Sequence, residues 1–257
     1  MTMDIDPADT PKIIEVASGL FVRQEIDNLT WADMGDYVLV VDALEKAETE
    51  GEVFAAIEET TGGKPVRYVL NTHTHYDHVV LNDSFRRRWG AEIINQVAIP
   101  MPAEGRQFEG SRRRAVILPM PNCHTDEDCV VWFPDDKVLA VGDIFGWGLI
   151  PLTTALRPQT AELLLTTYQR LIDFGAVTVI PGHGPLCTTA ELRRWMEYFN
   201  WLHNRCRDAC AEGRSEQDIL KELSAPPSDM LHWWRFAKWK HADSVSKMLS
   251  AVRRGRL

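Results

Sequence analysis

Val66-Arg67-Tyr68-Val69-Leu70-Asn71-Thr72-His73-Thr74-His75-Tyr76-Asp77-His78 decides how this chain is read. Its first five residues are an apolar, β-branched run, which predicts a buried strand ending at Leu70. Three imidazoles and a carboxylate then crowd into the six residues from His73 to His78. Imidazole and carboxylate are the groups that first-row metals bind at neutral pH. With eight His among 257 residues, such crowding is rarely a packing accident. In extended chain His73 and His75, two apart, point to the same side. Asp77 is read as opening a helix that runs to about Trp89, which turns Asp77 and His78 back toward the same point. Four ligand candidates from one strand-to-helix turn suit a two-metal site better than a single tetrahedral one.

Three other apolar runs end in polar groups. Val138–Val141 ends in Gly142-Asp143, Val177–Ile180 in Pro181-Gly182-His183-Gly184, and the segment after Ala115–Met120 delivers Asn122-Cys123-His124. Open sheets place sites at the carboxyl ends of their strands, so these ends are expected to meet at one rim. Glycine beside Asp143 and on both sides of His183 lets backbone approach a crowded centre closely.

Outward from the motif, short strands are predicted at Lys12–Val16, Leu20–Gln24, Tyr37–Val41 and Ala91–Ile94, with a helix over about Lys46–Thr60. Residues 96–114, with two prolines, two glycines and many charges, read as an irregular surface segment. Ala115–Pro119 reads as an edge strand, because Pro119 leaves a ladder bond unmade. Cys129–Phe133 and Lys137–Val141 form a hairpin around Pro134-Asp135-Asp136. A helix over about Thr160–Phe174 buries Leu163, Leu164, Tyr168, Leu171 and Ile172. From Thr188 the chain is read as helical, in three segments: about Thr188–Glu212, Ser215–Leu223, and Ser228 to near the end. No linker or repeat divides residues 1–257, so one domain is expected, with a core over about 13–186 and a helical part over about 188–257.

Bulk properties exclude some functions. A formal charge of −9 argues against nucleic acid as a partner. The runs Arg86-Arg87-Arg88 and Arg112-Arg113-Arg114 are the basic exceptions and read as solvated faces. Five cysteines without a short-spaced framework fit reduced thiols and a cytoplasmic location. The first twenty residues are acidic and lack an apolar core, and no run of eighteen apolar residues occurs, so neither secretion nor a membrane partner is expected. A small molecule is the expected partner; the sequence says nothing of oligomeric state.

The pattern His73-x-His75-x-Asp77-His78, then His124, Asp143 and His183, resembles the metallo-β-lactamase superfamily, over about residues 13 to 186. The resemblance implies an α/β fold, a four-layer αββα sandwich with extra C-terminal helices. It implies that His73, His75 and His124 hold one metal, that Asp77, His78 and His183 hold another, and that Asp143 bridges them. It implies two zinc ions per chain, with iron or manganese as substitutes, and gives Asp77 a catalytic as well as a ligating role. Asp42, closing its strand, becomes a candidate support for a ligand. Asp143 is similar to the bridging residue of glyoxalase II, lactonases and related hydrolases, whereas true metallo-β-lactamases mostly carry Cys or Ser there. His124-Thr125-Asp126, followed by a hairpin and Gly142-Asp143, looks like the glyoxalase II-like branch. The implied reaction is attack of a metal-bound hydroxide on an ester, thioester or lactone. β-Lactam hydrolysis and a single-iron persulfide dioxygenase are the alternatives. Trp147 is expected at the groove mouth as a substrate-binding residue, with Trp233, Trp234, Arg235 and Lys238 on the C-terminal side.

Overall fold

The computed structural model describes residues 9–152, 156–255 and 257. Two β-sheets face each other. The first has six strands in spatial order β1 (Lys12–Ala17), β2 (Leu20–Gln24), β3 (Leu29–Asp33), β4 (Val38–Val41), β5 (Val66–Leu70) and β6 (Glu92–Ile94). The second has five, in the order β11 (Thr178–Pro181), β10 (Val138–Gly142), β9 (Cys129–Phe133), β8 (Arg114–Pro119) and β7 (Arg106–Glu109).

Strand alternation sorts side chains into layers. In β4, Leu39 and Val41 turn toward the second sheet and meet Ile117, Val131 and Ala140. Val38 and Val40, one residue out of phase, turn the other way onto α1 (Glu50–Thr61) and α2 (Asn82–Trp89) through Val53, Ile57 and Phe85. On the second sheet Val130, Leu139 and Val179 face outward onto α3 (Pro158–Asp173), α4 (Thr189–Ala211) and α6 (His241–Arg253). Helix, sheet, sheet, helix is therefore the layer order, an αββα sandwich. α4 starts with a capping box: Thr188 N–H donates to Glu191 Oε2 (2.8 Å) and Ala190 N–H to Thr188 Oγ1 (3.1 Å). A short α5 (Glu216–Glu222) links α4 to the C-terminal turns.

Five expectations need correction. Asp77 does not open a long helix. Tyr76–His78 form one tight turn and α2 starts only at Asn82, because the His78 carbonyl is engaged by Ala43 N–H (2.8 Å) and Asn71 Nδ2 (3.0 Å). Residues 96–114 are not wholly irregular: β7 pairs with β8, inserting only Phe108 into the core. Ala115–Pro119 is consequently internal, and its proline is tolerated because the pairing with β7 stops at Ile117. Arg113 is not on a solvated face: it is 4% exposed, beside Asp136 (3.1 Å). Finally, the last segment is not one helix. Arg235 adopts a left-handed φ of 56°, Phe236–Lys240 form a widened turn, and only then does α6 begin.

Candidate metal centre

The parallel strands β4, β5 and the pair β10 and β11 end at the same edge of the sandwich. Backbone bonds join the sheets there: Cys129 N–H donates to Thr72 O (2.6 Å) and Asn28 N–H to Gly182 O (2.8 Å), while Gly182 N–H donates to Gly142 O (2.8 Å) within the second sheet. All seven ligand candidates emerge from these strand ends and the loop before β9.

They gather into two groups. His73, His75 and His124 offer nitrogens within 4.8 Å of one another, and so do the donor atoms of Asp77, His78, Asp143 and His183. His124 Nε2 lies 2.9 Å from His75 Nδ1. Asp143 stands between the groups: its Oδ2 is 3.2 Å from His183 Nε2 and 3.5 Å from His124 Nε2. His183 Nε2 is also 3.2 Å from Asp77 Oδ2.

Surrounding groups fix the rings. His124 Nδ1 lies 2.7 Å from Pro151 O and His183 Nδ1 3.0 Å from Ile26 O. A carbonyl oxygen only accepts, so Nδ1 donates in both, and each Nε2 is the nitrogen left for a metal. Asp42 stands beside His78 as a charge partner: its Oδ2 lies 3.0 Å from Nδ1, and its Oδ1 accepts Thr72 N–H (2.8 Å). Gly182 is required by space, since a Cβ there would collide with Asp143 Oδ1 and sit 2.9 Å from His78 Cε1.

The electrostatics fit a cation-binding set. Burial, reinforced by the neighbouring imidazoles, pushes His73 down to about 2, leaving a neutral donor. Burial alone would lower His183 and His78 as well. Asp143 outweighs it and holds His183 at about 10, while Asp42 and Asp143 carry His78 well above its usual range. The reciprocal pull of His183 and His78 keeps Asp143 well below the carboxylate range despite its burial. His73 Nε2, His78 Nε2 and Asp143 Oδ1 are buried without a hydrogen-bond partner. Buried polar atoms are rarely left so, and a divalent ion in each group would satisfy all three.

A cleft of about 250 Å³ opens over the centre, floored by Asp77, Asp143, His124 and His183 and walled by Phe145, Trp234, Arg235, Trp239 and Lys240. Trp147 is not at its mouth. It is 6% exposed, packs on Phe145 and Trp233, and donates from Nε1 to Pro185 O (3.2 Å). Trp233 is likewise behind the wall, while Trp234 forms it. Sequence reasoning missed Asp128, whose Oδ2 accepts the backbone N–H of Cys123 (3.0 Å) and His124 (2.6 Å) and so shapes the His124 loop. It also missed Asn28, whose Nδ2 donates to Pro181 O and Gly184 O (2.8 Å each) around His183. A third omission was Lys240. Only the short Asp-after-His spacing offered a signal for any of them.

A family model described as the metallo-beta-lactamase superfamily matches residues 28–123 and 97–183, more than half of the chain. The chain belongs to the metallo-beta-lactamase superfamily. The chain is 25% identical over 207 residues to 2,4-dinitroanisole O-demethylase subunit beta of Nocardioides sp. strain JS1661, covering 73% of this chain and 61% of that protein. It is 27% identical over 164 residues to hydroxyacylglutathione hydrolase of Methylococcus capsulatus strain Bath, covering 55% of this chain and 63% of that protein. The chain thus spans less than two thirds of the length of either relative. A metallo-beta-lactamase family protein of Thermus thermophilus superposes with a TM-score of 0.64 at 17% identity, over 94% of this chain and 95% of that one. That likeness shows the shared superfamily fold.

Proposed function

We propose that this superfamily member is a dinuclear metal-dependent hydrolase acting on a small carbonyl substrate, an ester, thioester or lactone. The observation that carries the reading is the position of Asp143, whose Oδ2 lies within 3.5 Å of a nitrogen from each group. One carboxylate shared by two donor sets suits two adjacent cations, with zinc as the first choice and iron or manganese as substitutes. When bound, such a pair lowers the pKa of water toward neutrality and polarises a carbonyl oxygen.

The chain's own groups do the rest. His73, His75 and His124 would hold one cation, and Asp77, His78 and His183 the other. Asp77 lines the cleft and is the carboxylate that would take a proton from the attacking water. Asp42, Pro151 O and Ile26 O keep His78, His124 and His183 in register. Cys123 is no nucleophile: its thiol is buried, donates to Thr167 Oγ1 (3.4 Å), and is pushed up to about 12 by that burial. A single-iron dioxygenase would leave the Asp77, His78 and His183 group without a task. The five cysteines are all unpaired, which supports a cytoplasmic location.

A hydrolysis screen of thioesters, lactones, aryl esters, β-lactams and phosphodiesters on metal-quantified protein tests the reading. Turnover of the first three classes, with poor turnover of the last two, is expected. Turnover confined to β-lactams would overturn it.

A further inference from the structure

Lys240 is a cation in an unusual place. It lies in the cleft wall and is 3% exposed, in the widened turn that the left-handed Arg235 introduces. Its ammonium lies 4.0 Å from the centroid of the Trp234 ring and donates to Gly146 O at 2.8 Å. The Trp239 ring is farther, at 5.8 Å, and ring faces are weak acceptors, so of the three N–H donors of the ammonium only the one on Gly146 O has a full hydrogen bond.

The other charges of the cleft are accounted for. Arg235 pairs with Asp9 at 2.9 Å, and Glu45 faces Lys46 at 4.0 Å. Asp77 and Asp143 belong to the metal centre. Among the described residues no carboxylate comes within ion-pair distance of Lys240, and burial lowers it to about 7. A buried ammonium without a counter-ion is costly: it either gives up its proton or finds a partner, and an anion entering the cleft would be such a partner. Gly184 builds the same wall: its φ is +79°, and a Cβ there would come within 2.5 Å of the Trp234 ring.

We infer that Lys240 is a substrate-binding residue, and that the substrate is an organic anion: a carbonyl compound whose carboxylate meets the Lys240 ammonium while its flat apolar part lies on Trp234. This rests on the hydrolase reading and narrows its substrate class. It adds no chemical step, since an acid group remote from the scissile carbonyl supplies orientation and binding energy.

The test uses metal-loaded protein and two aryl acetates of nearly the same shape, one anionic and one neutral, 4-acetoxybenzoate and 4-acetoxybenzamide, compared as a ratio between variants so that their intrinsic reactivities cancel. Wild-type protein is expected to favour the anion, and Lys240→Met to lower the anion-to-amide ratio of kcat/KM at least tenfold, with Lys240→Arg restoring part of it. A second measurement needs no turnover: quenching of tryptophan fluorescence by 2-naphthalenesulfonate, compared with neutral 2-naphthalenemethanol. The sulfonate is expected to bind more tightly, and to lose that advantage in Lys240→Met. An unchanged kcat/KM ratio, with both probes binding the variant as they bind wild type, would overturn the inference and leave the hydrolase reading intact. Hydrolysis of neither ester and of none of the thioesters and lactones in the screen, with Lys240-dependent sulfonate binding, would overturn the hydrolase reading and leave the anion subsite standing.

Discussion

Asp42 Oδ2 lies 3.0 Å from His78 Nδ1, and the same carboxylate accepts Thr72 N–H and Thr72 Oγ1–H. One side chain at the end of β4 therefore holds both the first backbone step of the ligand turn and the ring at its far end. Its backbone takes a left-handed φ of 61°, a cost accepted to bring the carboxylate underneath the centre.

Replacing Asp42 by Ala should loosen His78 without removing a ligand. Outer partners of ligating histidines are typically worth about 10–100-fold in metal affinity. Competition with a chelator should show a loss of that size for one metal. Unaltered retention of both metals would show that His78 is oriented by packing alone.

Gly182→Ala should be among the most damaging small substitutions. The added methyl meets Asp143 Oδ1 and His78 Cε1; His78 is buried, and Asp143 is held between His78 and His183. Overpacking of this kind costs about 1–3 kcal/mol, so a lowered melting temperature and reduced metal content are expected together. A variant with wild-type metal content and stability would mean the loop shifts freely.

Lys240 also makes a pH prediction for stability. Burial depresses its pKa from 10.5 to about 7, aided by Arg235 and opposed by Asp143 and Asp9. The unfolded chain then binds the proton more tightly than the folded one between those values, so the fold gains stability as pH rises through that window. Each tenfold difference in proton affinity is worth about 1.4 kcal/mol. Lys240→Met should therefore raise the melting temperature more at pH 6 than at pH 10. An equal gain at both pH values would show that the ammonium is solvated.

Cys123→Ala should keep both metals and most of the activity. The thiol is turned away from the centre onto Thr167. If kcat/KM collapsed while both metals were retained, a covalent route through sulfur would replace the one argued above.

Much of this was legible in the chain because the ligands sit at sequence-local strand ends. Val66–Leu70 and His73–His78 announce a buried strand and a metal-binding turn together, and Gly142-Asp143 and Gly182-His183-Gly184 repeat the device. What stayed hidden depended on partners distant in sequence. β3 is sandwiched so that Leu29 and Trp31 face the helices and Ala32 the other sheet, and its Thr30 and Asp33 blur the apolar pattern. β7 offers one buried residue, Phe108, among charges. The helix expected after Ser228 fails at Arg235, whose φ no periodicity encodes, and that break puts Trp239 and Lys240 into the cleft. Trp147 follows Asp143 closely, yet it turns into the core because Phe145 and Trp233 provide a drier surface than the groove.

The metal count tests the central claim most directly. Elemental analysis of protein purified without added metal, paired with activity of the same sample, should give two metal ions per chain, zinc foremost, and hydrolysis of esters, thioesters or lactones. Asp143→Asn should lose metal and about a thousandfold or more in rate, since each cation supplies several kcal/mol to the transition state. One tightly held iron per chain, no second metal, and oxygen consumption on a persulfide would contradict the account.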